Sequence, residues 1–220
     1  MEISIGRSLL EGNDRQAAEL SRLFREAGVL ALNLMSSPGA GKTSLLERTL
    51  RDLAPEFRMA VIEGDLQTDN DTRRVAATGA RAEQINTRGS CHLEAGQILE
   101  VLPRFDLPAT DILFIENVGN LVCPVEFHCG EDHKVALLSV TEGDDKPEKY
   151  PLLFHLASVL LLNKIDLLPH VEFDPDRAER FARAANPGLR VLRLSCRGKG
   201  LGLEAWYAWL RAALRAKRLE

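Results

Sequence analysis

The sequence lacks the features that direct a chain to a membrane or to an oxidising compartment. No apolar run approaches the length needed to cross a bilayer, and residues 1–7 mix acidic, basic and apolar side chains instead of forming a secretory signal. Only four of the 220 residues are cysteines, and in a cytoplasmic chain such thiols stay reduced. We therefore expect a cytoplasmic protein with no disulfide framework and no contact with a membrane.

Charge of one sign is not concentrated anywhere in the chain. The 28 lysines and arginines against 32 aspartates and glutamates give a net charge of −4. The basic residues are scattered, which argues against a nucleic-acid partner. Internal repeats, low-complexity segments and long linkers are also missing from the sequence. With 45% hydrophobic residues, the chain has enough apolar surface for one substantial core.

Seven short apolar runs alternate with helical patterns along the chain. Such alternation is typical of parallel strands connected by helical crossovers. The sequence therefore predicts an α/β fold of three layers, with a mostly parallel sheet of about seven strands and helices on both faces. The predicted strands lie near residues 29–35, 58–63, 82–86, 111–116, 134–140, 157–162 and 190–194.

The first and last helices can be predicted in more detail. The first is expected to run from a cap at Asn13 or Asp14 to Gly28. The last begins near Gly202, and its apolar residues recur at spacings of three and four, as in a helix docked on a core. Trp209 falls off that apolar face, so we interpret it as a surface aromatic.

A phosphate-binding loop follows the first predicted strand. Residues 36–43 read Ser-Ser-Pro-Gly-Ala-Gly-Lys-Thr and precede a helical pattern, the arrangement in which backbone amides surround a phosphate group. Lys42 is predicted to reach the β- and γ-phosphates and to act in catalysis, and Thr43 to hold Mg²⁺. Ser36 replaces the glycine that usually begins this pattern. The residues assigned to the nucleotide phosphates are Gly39, Ala40, Gly41, Lys42, Thr43 and Ser44.

A second motif indicates which base is bound. Asn163-Lys164-Ile165-Asp166 closes the sixth predicted strand, at the end where α/β proteins bind ligands. Asp166 can accept hydrogen bonds from guanine N1–H and the 2-amino group, two donors that adenine lacks. We expect Asn163 to connect the loops and Lys164 to lie along the ring. A backbone N–H of Ser195 or Cys196 is predicted to meet guanine O6.

Between these motifs lie the segments expected to sense the γ-phosphate. Asp65, at the end of the second strand, is the predicted catalytic carboxylate, either orienting water or holding Mg²⁺. Asp69 and Asp71 are interpreted as a helix cap and a solvated charge. Gly119 is predicted to approach the γ-phosphate through its N–H. Glu116 either belongs to the Mg²⁺ site or is part of an ordinary strand-to-loop turn.

The cysteines suggest a second kind of chemistry. Cys91 and His92 precede a helical pattern whose N-terminus is expected to lower the thiol pKa, and Cys123 follows the fourth predicted strand. Two thiolates and an imidazole suit Zn²⁺ or Ni²⁺, but three ligands leave the metal shell incomplete. A symmetric dimer would complete it. The alternative is that these residues only pack in the core.

Three further residues of metal-binding type follow Cys123. They are His128, Cys129 and His133. Their spacing matches no recurring ligand pattern, so two interpretations stay open: they enlarge the metal site, or they are exposed loop residues.

The order and spacing of these motifs resemble the HypB family of hydrogenase nickel-incorporation GTPases over nearly the whole chain. The segments that carry the resemblance are 36–43, 63–65, 91–92, 116–124, 139–147 and 163–166. The resemblance implies a P-loop NTPase fold, with 29–220 as the GTPase domain and 1–28 as a helical segment packed on it.

The same resemblance implies a metallochaperone that hydrolyses GTP slowly and assists nickel insertion into the large subunit of [NiFe]-hydrogenase, together with maturation partner proteins. In that family, positions matching Cys91, His92 and Cys123 bind nickel or zinc at the interface of a homodimer promoted by nucleotide and metal. Lys146 either reaches across to the partner's GTP or is a solvated loop lysine.

One departure and several alternatives accompany the resemblance. Residues 1–28 contain no cysteine or histidine, so we expect no separate high-affinity nickel store there. Urease accessory GTPases share the domain but carry a Cys-Pro-His motif, and GTPases serving cobalamin-dependent mutases carry extra dimerisation segments. A metal store or sensor with vestigial hydrolysis, and a signalling GTPase without metal, are the remaining alternatives.

Overall fold

The computed structural model describes residues 2–65, 70–87 and 89–219. Its sheet is entirely parallel, in the order β3-β2-β4-β1-β5-β6-β7. The strands are β1 (Leu30–Ser36), β2 (Met59–Asp65), β3 (Arg81–Asn86), β4 (Ile112–Glu116), β5 (His133–Ser139), β6 (Val159–Asn163) and β7 (Arg190–Arg193). Each predicted strand is found with its ends within two residues of the observed ones.

Helices cover both faces of this sheet. They are α1 (Glu2–Ala27), α2 (Lys42–Leu53), α3 (Asn70–Ala76), α4 (Ala95–Val101), α5 (Cys123–Glu126), α6 (Lys146–Lys149), α7 (Pro151–Leu156), α8 (Pro175–Ala185) and α9 (Leu203–Lys217). No helix in the described ranges is both long enough and apolar enough to span a bilayer.

The alternation of side chains along β1 explains the two covered faces. Leu30, Leu32 and Leu34 pack on one face with α2 and α9, whereas Ala31 packs with α1 and α4 on the other. Met35 continues that second face toward α7 and α8. Because both faces are buried, the strand is an almost continuous apolar run, and such runs are easily recognised in a sequence.

The start of the first helix was predicted wrongly. Asn13 lies inside α1, and its side chain bonds to two other segments of the chain. Nδ2 donates to His128 O at 2.9 Å, and Oδ1 accepts from Ala95 N at 2.9 Å. Asn13 thus caps α4 instead of its own helix. The other end agrees with the prediction, since α1 ends at Ala27 and Gly28 adopts a left-handed φ of 66°.

The interpretation of Trp209 was also wrong. Its ring stacks on that of Trp206, with centroids 5.3 Å apart, and meets His133 edge-on at 5.3 Å. Trp209 is half-buried against the core, because α9 covers a wider part of the sheet than one apolar stripe suggests. The predicted start of this helix was right, since Gly202 directly precedes α9.

Parallel strands give the sheet two different edges. The carboxyl edge is where β1, β2, β4 and β6 end and the predicted site loops begin. The amino edge is where the strands start, and several ion pairs lie there. There Asp111 contacts both Arg58 and Arg218, and Asp132 pairs with Lys217 at 2.5 Å.

Candidate nucleotide and metal sites

The phosphate-binding loop is shaped by close approach to β6. Gly41 has a φ of 102°, and a Cβ there would lie 2.6 Å from Asn163 Nδ2. A side chain at this position would therefore be both strained and overlapping. Lys42 is the first residue of α2, and its Nζ lies 3.0 Å from Ser36 Oγ. The serine that departs from the usual pattern thus accepts a hydrogen bond from the lysine.

Thr43 and Glu116 are brought together from α2 and β4. Thr43 Oγ1 donates to Glu116 Oε1 at 3.0 Å. Burial raises the pKa of Glu116 to about 7, although the positive charge of Lys42 and the bond from Thr43 oppose the shift. Glu116 Oε2 is buried without a hydrogen-bond partner among the described residues. Hydroxyl and carboxylate oxygens are the donors that Mg²⁺ prefers, so this pair fits the predicted magnesium site.

A phosphate cavity of about 450 Å³ lies beside this pair. Glu63 lines it and is only 3% exposed. It pairs in register with Glu116 across β2 and β4 and accepts a hydrogen bond from Thr72. The sequence pattern pointed to Asp65, and the burial of Glu63 beside the cavity was not predicted. The sequence does contain a signal for Glu63, which is a carboxylate inside an otherwise apolar strand. Burying such a charged group costs free energy, so its presence suggests a function.

Other predicted residues around the phosphate cavity have mixed outcomes. A Cβ on Gly119 would lie 3.0 Å from Pro38 atoms, so this turn touches the phosphate loop closely. The Asp71 side chain is half exposed to solvent and also pairs with Arg74 at 2.9 Å. The Asp65 side chain and all of Asp69 lie outside the described part of the chain.

A second cavity of about 490 Å³ lies between the phosphate loop and the ends of β6 and β7. Asn163 Nδ2 donates to Ala40 O at 2.9 Å, and Lys164 Nζ donates to Gly39 O at 2.7 Å. Asp166 Oδ1 accepts from Ser195 Oγ at 2.5 Å. Residues 163–166 therefore contribute one wall of this second cavity, which we call the base cavity. Asn163 and Lys164 also bond directly to the phosphate loop.

Two further residues shape the base cavity. Arg48 of α2 donates to Gly198 O at 2.8 Å and to Lys199 O at 3.0 Å, which fixes the loop after β7. No sequence signal marked Arg48, because its partners are 150 and 151 residues away. Cys196 lines the cavity as a neutral thiol, since burial raises its pKa to about 11. Ser44 lines both cavities.

Cys91, His92 and Cys123 are neighbours in the structure. Cys123 lies near enough to Cys91 to raise the pKa of its thiol, and Cys91 Sγ lies 3.6 Å from His92 Nδ1. The His92 ring stacks on Phe127 with centroids 3.8 Å apart. Its Nε2 is buried without a hydrogen-bond partner in the described ranges. The three side chains are thus neighbours, and thiolate and imidazole are ligand types that nickel and zinc bind.

The expected lowering of the Cys91 pKa is wrong for the metal-free chain. α4 begins only at Ala95, so the thiol does not lie at the helix N-terminus. The neighbouring Cys123, together with burial, instead raises the pKa of Cys91. Within the described residues, no group of three or more histidine, cysteine, aspartate or glutamate side chains is arranged to hold a metal ion. One chain alone thus presents an incomplete site.

The three additional residues do not join this group. Cys129 is fully buried with Sγ 3.7 Å from Leu93 O, and burial raises its pKa well above the usual range. His133 lies at the amino edge and contacts Ser158 Oγ at 2.9 Å. His128 is exposed, 3.8 Å from Glu131. The fold separates them because the chain returns here from one sheet edge to the other.

Lys146 contacts its own chain. It is the first residue of α6, and its Nζ lies 5.3 Å from the centroid of the Tyr150 ring. The lysine is half-buried, so a cation–π contact orients it in the single chain.

Known proteins are similar to this chain over most of its length. The CobW/HypB/UreG nucleotide-binding domain matches residues 30–193. The hydrogenase maturation factor HypB of Azotobacter vinelandii is 52% identical over 208 residues, which cover 94% of this chain and 68% of that protein.

Two crystal structures are similar to the whole chain. HypB from Archaeoglobus fulgidus has a TM-score of 0.87 at 38% identity, covering 93% of this chain and 99% of that one. HypB from Helicobacter pylori, in complex with nickel, has a TM-score of 0.85 at 36% identity, covering 94% and 95%. These matches confirm the predicted P-loop NTPase fold, and the chain belongs to the HypB family of hydrogenase maturation factors.

Proposed function

We propose that this maturation factor hydrolyses GTP and carries nickel at a site shared by two copies of the chain, for insertion into the large subunit of [NiFe]-hydrogenase. The observation that carries the proposal is that Cys91 lies beside His92 and near Cys123, and that Cys123 follows the Glu116–Gly119 wall of the phosphate cavity closely along the chain. The short segment from Glu116 to Cys123 thus contributes both to the nucleotide site and to the proposed metal-ligand set.

Guanine specificity rests on Asp166. Its Oδ1 is held by Ser195 Oγ, which leaves Oδ2 and the second lone pair of Oδ1 for guanine N1–H and the 2-amino group. Adenine offers neither donor. Asn163 and Lys164 anchor this wall to the phosphate loop, and the loop containing Ser195 and Cys196 would approach guanine O6 through a backbone N–H.

Phosphoryl transfer would depend mainly on charge and positioning. The loop amides, Lys42 and the Gly119 N–H would surround the phosphates. Thr43 and Glu116 would hold Mg²⁺, which neutralises charge on the β- and γ-phosphate oxygens when bound. Asp65 remains our predicted catalytic carboxylate. Slow intrinsic turnover is expected from the resemblance to the HypB family.

Nickel binding would be completed by symmetry. Cys91, His92 and Cys123 supply too few donors in one chain, and a two-fold axis would bring the same residues from the second copy. Zn²⁺ uses the same kinds of ligand and would compete for this site. In such a dimer, Lys146 would leave Tyr150 and reach the nucleotide of the other copy. The four free cysteines are consistent with a reduced, cytoplasmic location.

Sedimentation velocity tests the proposal directly. Purified protein would be analysed with and without Ni²⁺ and a non-hydrolysable GTP analogue, and the metal in each species would be counted. We expect a dimer promoted by nucleotide and Ni²⁺, with metal bound in the dimer peak. A metal-free monomer under all conditions would contradict nickel carriage and leave only a nucleotide-binding protein.

Turnover separates the remaining alternatives. GTP hydrolysis that is lost in Lys42→Ala would exclude a metal store in which hydrolysis is vestigial. Metal binding without turnover would support such a store, and turnover without any metal response would favour a signalling GTPase. The nickel-loaded dimer should also bind the hydrogenase large subunit or another maturation protein in a pull-down with purified components.

A further inference from the structure

Asn117 connects the phosphate cavity to the loop that carries Cys91 and His92. It lies in the turn after β4, lines the phosphate cavity and is only 1% exposed. Its Oδ1 accepts from Leu93 N at 3.0 Å and from Val118 N at 3.0 Å. One buried oxygen therefore bonds at the same time to the wall of the phosphate cavity and to the residue directly after His92.

A second contact reaches Leu93 from the other wall of the phosphate cavity. Gly64 of β2 lines that cavity, and a Cβ on Gly64 would lie 2.6 to 2.9 Å from three atoms of the Leu93 side chain. Leu93 is fully buried, so it has little room to move independently of either strand end. The position of the loop before Leu93 is thus fixed by two segments that line the phosphate cavity.

Asn117 also belongs to the segment that leads to Cys123. Its backbone N donates to Leu34 O of β1 at 3.1 Å, and the chain then passes Val118 and Gly119 before α5 begins at Cys123. The two halves of the proposed ligand set, Cys91 with His92 and Cys123, are therefore joined through the Asn117 side chain.

We propose that Asn117 is a positioning residue that makes nickel affinity depend on whether the phosphate cavity holds GTP or GDP. The inference rests on the proposed function. A γ-phosphate meeting the Val118–Gly119 backbone would shift the amide that Asn117 Oδ1 accepts from, and the bond to Leu93 would transmit that shift to the ligand loop. Coupling then requires that the two nucleotide states differ in these contacts.

Asn33 provides a matched control. Asn117 Nδ2 donates to Asn33 Oδ1 at 3.3 Å, and Asn33 is fully buried in β1. Replacing Asn33 disturbs the same polar network but leaves the Asn117 bond to Leu93 in place. A purely structural role for the network predicts similar effects from both replacements, whereas a connecting role predicts an effect from Asn117 alone.

The experiment measures the Ni²⁺ dissociation constant by competition with a chromophoric chelator, once with GDP and once with a non-hydrolysable GTP analogue. We expect the two constants of the unmodified protein to differ by at least about fivefold. In Asn117→Ala the ratio should fall to within about twofold of one, and in Asn33→Ala it should stay at the wild-type value. The ratio is informative because uniform loss of affinity leaves it unchanged.

Hydrogen exchange of the Leu93 amide supplies a test that needs no variant. Its protection should differ between the GDP and GTP-analogue states, since the Asn117 bond covers this N–H. Equal protection in both states would overturn the inference, as would an undiminished ratio in folded Asn117→Ala or a wild-type ratio of one. All these results leave the proposed function standing, because GTP turnover and Ni²⁺ binding by the unmodified protein test it separately.

Discussion

Both edges of the sheet contain buried carboxylates, and the two edges differ in how many hydrogen bonds these carboxylates accept. At the amino edge, Asp111 accepts hydrogen bonds from the Arg58 backbone and guanidinium and from Arg218. At the carboxyl edge, Glu116 receives one bond from Thr43 and keeps a second oxygen without a hydrogen-bond partner in the described chain. Burial alone thus does not mark a functional site; the unmatched oxygen of Glu116 is informative because this residue also lines the phosphate cavity.

The pKa values follow the same division. The hydrogen bond from Arg58 lowers the pKa of Asp111, whereas burial raises that of Glu116 to about 7. The first carboxylate stabilises the fold, and the second costs stability until a cation arrives. The two edges should therefore respond in opposite ways to substitution, and this can be tested.

The largest contrast is expected between two buried lysines, one at each edge. Lys42→Ala should lower GTP turnover by at least about a hundredfold, since it removes a charge that faces the phosphates, with little loss of stability. Lys217→Ala should leave turnover intact but cost about 2 kcal/mol of stability, because the partly buried Asp132 loses its charged hydrogen-bond donor. Turnover assays and urea unfolding of both variants measure the contrast. Equal turnover in both variants would contradict it.

Two cysteines allow the metal site to be separated from the core. Cys123→Ala should abolish stoichiometric Ni²⁺ binding without changing the melting temperature noticeably. Cys129→Ala should retain the metal and lose about 1 kcal/mol of stability, because it only removes buried packing. Metal counting and thermal unfolding provide the comparison. Full metal retention in Cys123→Ala would reject the proposed ligand set.

Guanine recognition should be sensitive to a single atom at the carboxyl edge. Asp166→Asn replaces an acceptor with a donor, so the preference for GDP over ADP should fall by about tenfold to a hundredfold. Asp14→Asn, on the exposed surface of α1, makes the same chemical change outside the cavity and should have no effect. Fluorescent-nucleotide titrations would measure both. An unchanged preference in Asp166→Asn would assign base selection to other residues.

Neutralising one carboxylate at each edge should change stability in opposite directions. In nucleotide-free protein with EDTA at pH 8, Glu116→Gln should raise stability by about 1 kcal/mol, because it removes a buried charge that is poorly matched. Asp111→Asn should lower it by about 2 kcal/mol, since charge-assisted bonds are lost. Urea midpoints would show the signs. Two changes in the same direction would refute the contrast.

The smallest effect concerns acid. The pKa of Asp111 is lowered in the folded state, so the folded protein binds fewer protons than the unfolded chain in acid. Its contribution is complete above about pH 4, near the unfolded pKa, and is lost as pH falls through the folded pKa. The stability difference between wild type and Asp111→Asn should therefore shrink below pH 4. A constant difference in urea midpoints would show that Asp111 acts only through neutral contacts.

Much of the fold was predictable because its determinants are local or periodic. The β1 run is apolar because both its faces are buried, and Gly41 is required by its φ of 102°. The phosphate loop and the 163–166 motif were recognised for the same reason: their chemistry needs particular residue types in a fixed order.

Predictions failed where a side chain serves a distant segment. Asn13 looked like a cap for its own helix, yet it bonds Ala95, 82 residues away. Cys91 looked like a helix-activated thiol, but its pKa is set by Cys123. Trp209 gave no sign of its edge-on contact with His133 of β5. In each case the local pattern was compatible with two environments.

The sequence by itself determined the strands, the phosphate loop, the place of the 163–166 motif at the end of β6, and the family, because each depends on residue order or periodicity within a short segment. Only the tertiary structure decided that Glu116 has an oxygen without a hydrogen-bond partner in the described chain, and that Cys129 packs in the core apart from Cys91 and Cys123. It also decided that Asn117 joins two loops. These outcomes depend on which strands are neighbours in space, and hydrogen-bond matching across strands leaves no trace in any one segment.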